Sequence, residues 1–312
     1  MNPLSSIFGS IVALRNELYD RQIFSIHRLA RPVVSIGNVS VGGSGKTPFT
    51  IALGRLLKQH GIAFDVISRG YKRSSTEVAV VDPNGSPEQF GDEPLLIARK
   101  LQVPVIVGAD RYQAGLFAEK RFPETRLHLL DDGFQHRRLH RDFDIVMLPA
   151  ADLEDTLLPV GRLRESLSAL QRADALVLDP GVKPPDGAKT IWRVRRKLSD
   201  ETKLPQRLVA FCGLARPQQF FDALRQAGAE LVDTAVFPDH HRYSKRDIDH
   251  LLQLQEKTKA EGFATTEKDA MNLGKLRLPE TKIVALQMEL EDPDEAIHTL
   301  LRTLEERRGS RL

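Results

Sequence analysis

At 312 residues, 41% hydrophobic and 28% charged, the chain has globular proportions and is long enough for one large α/β unit or two ordinary domains. A single cysteine, Cys212, excludes an intrachain disulfide and a thiolate metal cage, and points to a reducing compartment. With 45 Lys plus Arg against 42 Asp plus Glu, the net charge of +3 is too balanced for nonspecific nucleic-acid binding, and no nucleic-acid partner is expected.

The first predicted element is an amphipathic helical segment over residues 1–28. Leu4, Ile7, Phe8, Ile11, Val12, Leu14 and Leu18 recur at helical spacing, and Arg15, Glu17, Asp20 and Arg21 interrupt the run before it is long enough to span a bilayer. The segment lacks a basic n-region and a cleavage site, so it is not read as a secretory signal. Two readings stay open: an interfacial helix whose arginines meet anionic headgroups, or a helix packed on the protein's own core.

A first, larger domain is expected over 29–180, built from strands at Val33–Ile36, Phe64–Ile67, 78–81, 103–108, 127–132, 143–149 and 173–179 with helices between them. One of those helices carries Phe49, Leu53, Leu56 and Leu57 on one side and stops at Gly61; a shorter one runs from about Leu95 to Arg99. This alternation predicts a doubly wound, mainly parallel sheet. Residues 181–205 turn polar and proline-bearing and read as a linker or hinge, with a strand-like TIWRVRR inside. A second, smaller α/β domain is expected over 206–312, ending in a strand KIVALQMEL and an amphipathic helix.

The strongest local signal is the loop from Ser40 and Val41 through Gly42, Gly43, Ser44 and Gly45 to Lys46 and Thr47, set between a predicted strand and helix. Glycines let successive backbone N–H groups turn toward a phosphate, and the helix N-terminus adds positive charge. Lys46 suits the β/γ oxygens of a nucleoside triphosphate, and the Thr47 hydroxyl suits Mg²⁺. A strict GxxxxGK[ST] pattern would have glycine where this chain has Ser40. The hydrophobic strand ending in Asp131-Asp132-Gly133 is the natural second half of such a site, since magnesium wants hard oxygen ligands; alone it would be a turn. A dinucleotide-binding fold fails because GxGxxG is absent.

VSIGNVSVGGSGKTP, FGDEP, DDGFQHRRLHRD, GRLRE, FPDHHRY and TTEKDA together span most of residues 33–270 and resemble the tetraacyldisaccharide 4'-kinase family of Gram-negative lipid A synthesis. Members carry serine or threonine at the position of Ser40. The resemblance implies ATP and Mg²⁺ as cofactors and an acylated glucosamine disaccharide 1-phosphate as acceptor. It also implies peripheral or monotopic attachment at the anionic cytoplasmic face of the bacterial inner membrane, and no obligate protein partner is inferred.

Carried over by motif, the resemblance makes Lys46 and Thr47 the phosphate lysine and magnesium threonine, Asp92 the acidic residue acting on the acceptor hydroxyl, and His240 its partner, with His241 the alternative. Asp131 and Asp132 become the carboxylates near magnesium, either of them a direct ligand. Arg111 joins the nucleotide site, while Arg164 and Glu165 line the cleft. Local sequence offers plainer roles: a first-turn helix carboxylate for Asp92 and a polar loop for Asp239-His240-His241. The basic stretch Arg137, Arg138, His140 and Arg141 reads either as a patch near a lipid phosphate or as a solvated face. A regulatory or transport NTPase that only hydrolyses ATP is the competing function; it would leave GDEP and DHH idle.

Overall fold

The computed structural model describes residues 2–199 and 204–309. In chain order, helix α1 (Pro3–Asp20) precedes β1 (Val33–Asn38), α2 (Lys46–Gln59), β2 (Phe64–Ser68) and β3 (Ala79–Val80). Next come α3 (Pro87–Phe90), α4 (Asp92–Leu101), β4 (Val105–Val107), α5 (Arg111–Arg121), β5 (Leu127–Asp131), β6 (Phe143–Met147), β7 (Ala175–Leu178) and β8 (Ile191–Leu198). The remainder is β9 (Arg207–Cys212), α6 (Pro217–Gln226), β10 (Glu230–Val236), α7 (Lys245–Thr258), β11 (Gly262–Thr266), α8 (Glu267–Leu273), β12 (Thr281–Val284), β13 (Leu286–Leu290) and α9 (Pro293–Arg308).

Two sheets result, as the alternating pattern predicts. The larger has nine strands in the order β13-β8-β7-β6-β1-β5-β2-β4-β3, with seven parallel strands between antiparallel edges. Strand β1 pairs with β5 on one side and β6 on the other, so the strand order reverses there. The crevice beyond the carboxyl end of β1 is therefore the natural ligand position of the fold, and the phosphate loop occupies it. The smaller sheet, β10-β9-β11-β12, is wholly parallel.

Side chains alternate across the large sheet. Val34 and Ile36 of β1, Leu127 and Leu129 of β5, and Phe143, Ile145 and Met147 of β6 point to the core beneath α2, α4 and α9. Val33 and Leu130 point the other way, against Ala114 and Ala118 of α5 and Leu29 of the arm after α1. Such strands are buried on both faces and read as continuous apolar runs.

The boundaries differ from expectation in three places. KIVALQMEL is not one strand: β12 ends the small sheet, and after Ala285 the chain crosses to form β13, paired antiparallel with β8 at the edge of the large sheet. Residues 286–309 thus belong with the first lobe rather than the second, because Ala296, Ile297, Leu300 and Leu304 of α9 complete its core. Within the expected linker, TIWRVRR is a true strand of the large sheet, Trp192 stacking on Phe143 and Phe49; the 200–203 part of that segment lies outside the described residues. Helix α5 goes unannounced by the sequence pattern because its buried stripe is mostly Ala and Gly.

Helix α1 does not pack its apolar side on the core. Only Ser5 among its residues is buried, while Leu4, Ile7, Ile11 and Leu14 are about 60% exposed. Polar ties hold the opposite side: Ser5 Oγ donates to Leu157 O, Arg15 to Gln135 O, and Asn16 to Glu165. Among the described residues no helix is long and apolar enough to cross a membrane.

Candidate active site

The phosphate loop bends through left-handed backbone at Gly42, Gly43 and Gly45, and Gly45 caps α2 with φ +86°. No side chain caps this helix, so its first N–H groups remain available to an anion. Val41 and residues 42–48 line a cavity of about 500 Å³ between the lobes. Ser40 does not line it; its hydroxyl turns inward and donates to Asp152.

Lys46 Nζ donates to Asn38 Oδ1 at 3.0 Å and lies 3.4 Å from Asp132 Oδ1. Arg164 donates to the same two groups, reaching Asp132 Oδ1 at 3.0 Å. Burial works against charge on Asp132, but Lys46 and Arg164 outweigh it and hold the carboxyl well below the usual carboxylate range. Asp131, at the end of β5, accepts from Ser68 Oγ at 3.2 Å and Thr50 Oγ1 at 3.4 Å. Burial and the neighbouring carboxylates of Glu93 and Asp132 push it up to about 7. Asp132 itself has φ +51°, a conformation that aims its side chain at the lysine and arginine instead of along the strand.

At the other end of the cavity His240 and Lys268 line the wall, and Asp92, the first residue of α4, is buried against them without lining it; its Oδ1 accepts from Glu93 N at 3.0 Å. Its Oδ2 meets His240 Nδ1 at 2.7 Å. Lys268 Nζ stands 3.8 Å from the same oxygen, 2.8 Å from Asp239 Oδ1 and 3.4 Å from His240 Nε2. Burial alone would raise the Asp92 carboxyl, but the His240 hydrogen bond and the Lys268 ammonium hold it below the ordinary value. An ionised Asp92 accepts from Nδ1–H, which leaves Nε2 to accept from Lys268. His240 has φ +60°, so this ring too is held by an uncommon backbone turn.

Several expected site residues stand elsewhere. Arg111 is buried at the start of α5 and, like Asp92, does not line the cavity; its Nη1 donates to Ala109 O, and burial and Arg69 lower its pKa against the opposing charges of Asp132 and Asp131. Glu165 is also off the cavity, tying Asn16 of α1 to Arg172. His241 faces Asp247 and stacks on Phe237, leaving His240 alone against Asp92. In the basic stretch, Arg137 pairs with Asp20 and Arg141 with Asp144, so two of its arginines are structural. Asn38, Glu93, Arg216 and Lys268 enter the site; Asn38, Glu93 and Lys268 lie within the motifs VSIGNVSVGGSGKTP, FGDEP and TTEKDA, whereas Arg216 lies outside every motif quoted.

Comparisons of sequence and of structure converge on one family. The family described as LpxK: Tetraacyldisaccharide-1-P 4'-kinase matches residues 1–305. The tetraacyldisaccharide 4'-kinase of Koribacter versatilis is 51% identical over 323 residues, covering 99% of this chain and 100% of that protein. That of Aquifex aeolicus is 41% identical over 293 residues, covering 87% of this chain and 88% of its own. A crystal structure described as the "apo" form of LpxK from Aquifex aeolicus in complex with ATP has a TM-score of 0.79 at 35% identity, covering 97% of this chain and 98% of that one. The chain belongs to the tetraacyldisaccharide 4'-kinase family.

Proposed function

We infer that the chain transfers the γ-phosphoryl group of ATP to the 4'-hydroxyl of tetraacyldisaccharide 1-phosphate, giving lipid IVA and ADP. The observation that carries this reading is the Asp92–His240 pair, whose histidine lines one end of the cavity while the phosphate loop lines the other. In the reaction the 4'-oxygen bonds to the γ-phosphorus, the bond from that phosphorus to the β–γ bridging oxygen breaks, and the hydroxyl proton passes to Asp92. A carboxylate held below the ordinary range is a weak base, which suffices for a proton that leaves late in a loose transition state. His240 orients that carboxylate, and Lys268 fixes the ring that does so. Lys46 and the loop amides carry charge on the transferring group.

The donor set at the phosphate end fits a magnesium ion. Thr47, Asp131 and Asp132 offer hard oxygens into one cavity, and burial beside other carboxylates leaves Asp131 short of positive charge. Among the described residues no three acidic or imidazole groups converge as a full cage. That suits an ion held by one or two carboxylates plus phosphate oxygens. Thr47 and one of the two aspartates would hold the ion, which would supply positive charge to the phosphate oxygens.

The exposed apolar face of α1 supports attachment to the anionic cytoplasmic surface of the inner membrane, bringing the cleft to its lipid acceptor. Closure of the lobe 207–284 on the rest, about the crossings from β8 to β9 and from β12 to β13, is supported by Asp92 and His240 standing on opposite lobes. The test is release of ADP from labelled ATP with and without the disaccharide 1-phosphate lipid. Acceptor-dependent release with label in the lipid is expected; acceptor-independent hydrolysis would favour the NTPase reading.

A further inference from the structure

Serine at position 40 replaces the first glycine of a strict phosphate loop, and its hydroxyl has a definite partner. Ser40 Oγ donates to Asp152 Oδ2 at 2.6 Å, and both residues are completely buried. Asp152 lies in the 3-10 turn Ala150–Asp152 after β6. Its other carboxylate oxygen pairs with the guanidinium of Arg216, which comes from the second lobe between β9 and α6. On the other side of Ser40, Asn38 Nδ2 donates to the Ser40 carbonyl at 2.8 Å, while Asn38 Oδ1 receives Lys46 Nζ. An unbroken polar chain therefore runs from the second lobe to the phosphate lysine.

The backbones meet at the same place. A Cβ on Gly43 would come within 3.1 Å of Arg216 N, and one on Gly42 within 2.6 Å of Ala215 Cβ, so the second lobe rests on the tip of the loop. Neither Ser40 nor Asp152 lines the cavity, so any influence they have on a bound nucleotide passes through the loop or through Arg216, which does line it.

We propose that Asp152 is a positioning residue that couples closure of the second lobe to the shape of the phosphate loop, accepting from Ser40 on one side and from Arg216 on the other. A buried carboxylate needs its cation, so drawing the second lobe away leaves Asp152 unpaired and frees the loop from its anchor. Closing the lobe restores the pair and sets Ser40, Asn38 and Lys46 in register with the phosphates. This inference rests on the reading of the loop as a nucleotide site.

The experiment is calorimetric titration of the full chain with MgATP, together with steady-state kinetics, for wild type, Ser40→Ala, Asp152→Asn, Arg216→Met and the Asp152→Asn/Arg216→Met double variant. Each single variant should weaken MgATP binding by about tenfold or more, with KM for ATP raised and KM for the lipid acceptor unmoved: Asp152→Asn and Arg216→Met break a buried charge pair, and Ser40→Ala removes the hydrogen bond that ties the loop to it. The double variant should bind no more weakly than the poorer single one. Wild-type binding by Ser40→Ala and Asp152→Asn would overturn the proposal, since Arg216 would then act on the nucleotide directly; so would losses that simply multiply. Should Asp152→Asn fail to fold, Ser40→Ala against Arg216→Met, with their double variant, carries the same comparison. Failure of the wild type to bind MgATP would instead strike down the nucleotide-site reading and this inference with it.

Discussion

His240 Nδ1 and Asp92 Oδ2 meet at 2.7 Å across the boundary between the lobes, although 148 positions separate them in the chain. Asp92→Asn should lower kcat by about 10²- to 10⁴-fold, the range of a lost proton acceptor, and His240→Ala by less. The double variant should be no slower than Asp92→Asn, because the two act as a unit. Replacing Lys268 by Met removes a charge that holds the Asp92 carboxyl down, so the acid limb of the pH profile should move to higher pH. Single-turnover rates across pH 4–9 check all three, and an unmoved acid limb would count against the Lys268 assignment.

Lys46→Ala and Thr47→Ala should each cost about 3–4 kcal/mol of transition-state stabilisation while leaving the fold intact. Both side chains face the cavity, so little packing is lost. Turnover at the wild-type rate by either folded variant would be incompatible with the loop's role.

Away from the site, His128 on β5 lies opposite Asp65 on β2, with Nδ1 2.7 Å from Asp65 Oδ1 and Nε2 3.5 Å from Glu119 Oε1. Burial disfavours the imidazolium, but the two carboxylates overcome it and raise the ring to about 9. A pKa raised above the unfolded value of about 6.5 stabilises fully below pH 6.5, and that contribution is lost as pH rises through 9. His128→Ala should destabilise by about 3–5 kcal/mol at pH 7, leaving Asp65 buried without its cation, and should flatten the alkaline fall in stability. Denaturant unfolding at pH 6, 8 and 10 measures both effects.

Leu4, Ile7, Ile11 and Leu14 already face water, so changing all four to Ser should leave the melting temperature within a few degrees. Binding to anionic vesicles and activity on membrane-presented acceptor should fall together, and MgATP affinity should not change. Equal sedimentation of the variant and the wild type with vesicles would remove the membrane role of α1.

The elements that the sequence determined are those whose local pattern has one physical solution. The apolar runs at 33–36, 127–130 and 143–147 fit only strands covered on both faces, and GGSGKT between a strand and a helix fits a phosphate loop. Motif order across the chain was enough to identify the family. Local pattern carries no record of who faces whom. Only the folded chain separated His240 from its neighbour His241, turned Ser40 toward Asp152, and set Arg111 and Glu165 off the cavity wall. The same holds for β13 and α9, whose amphipathic patterns suit either lobe equally. Their place was decided by Met288, Ile297 and Leu300 filling the core over β1 and β6, a long-range packing choice that neighbouring residues do not encode.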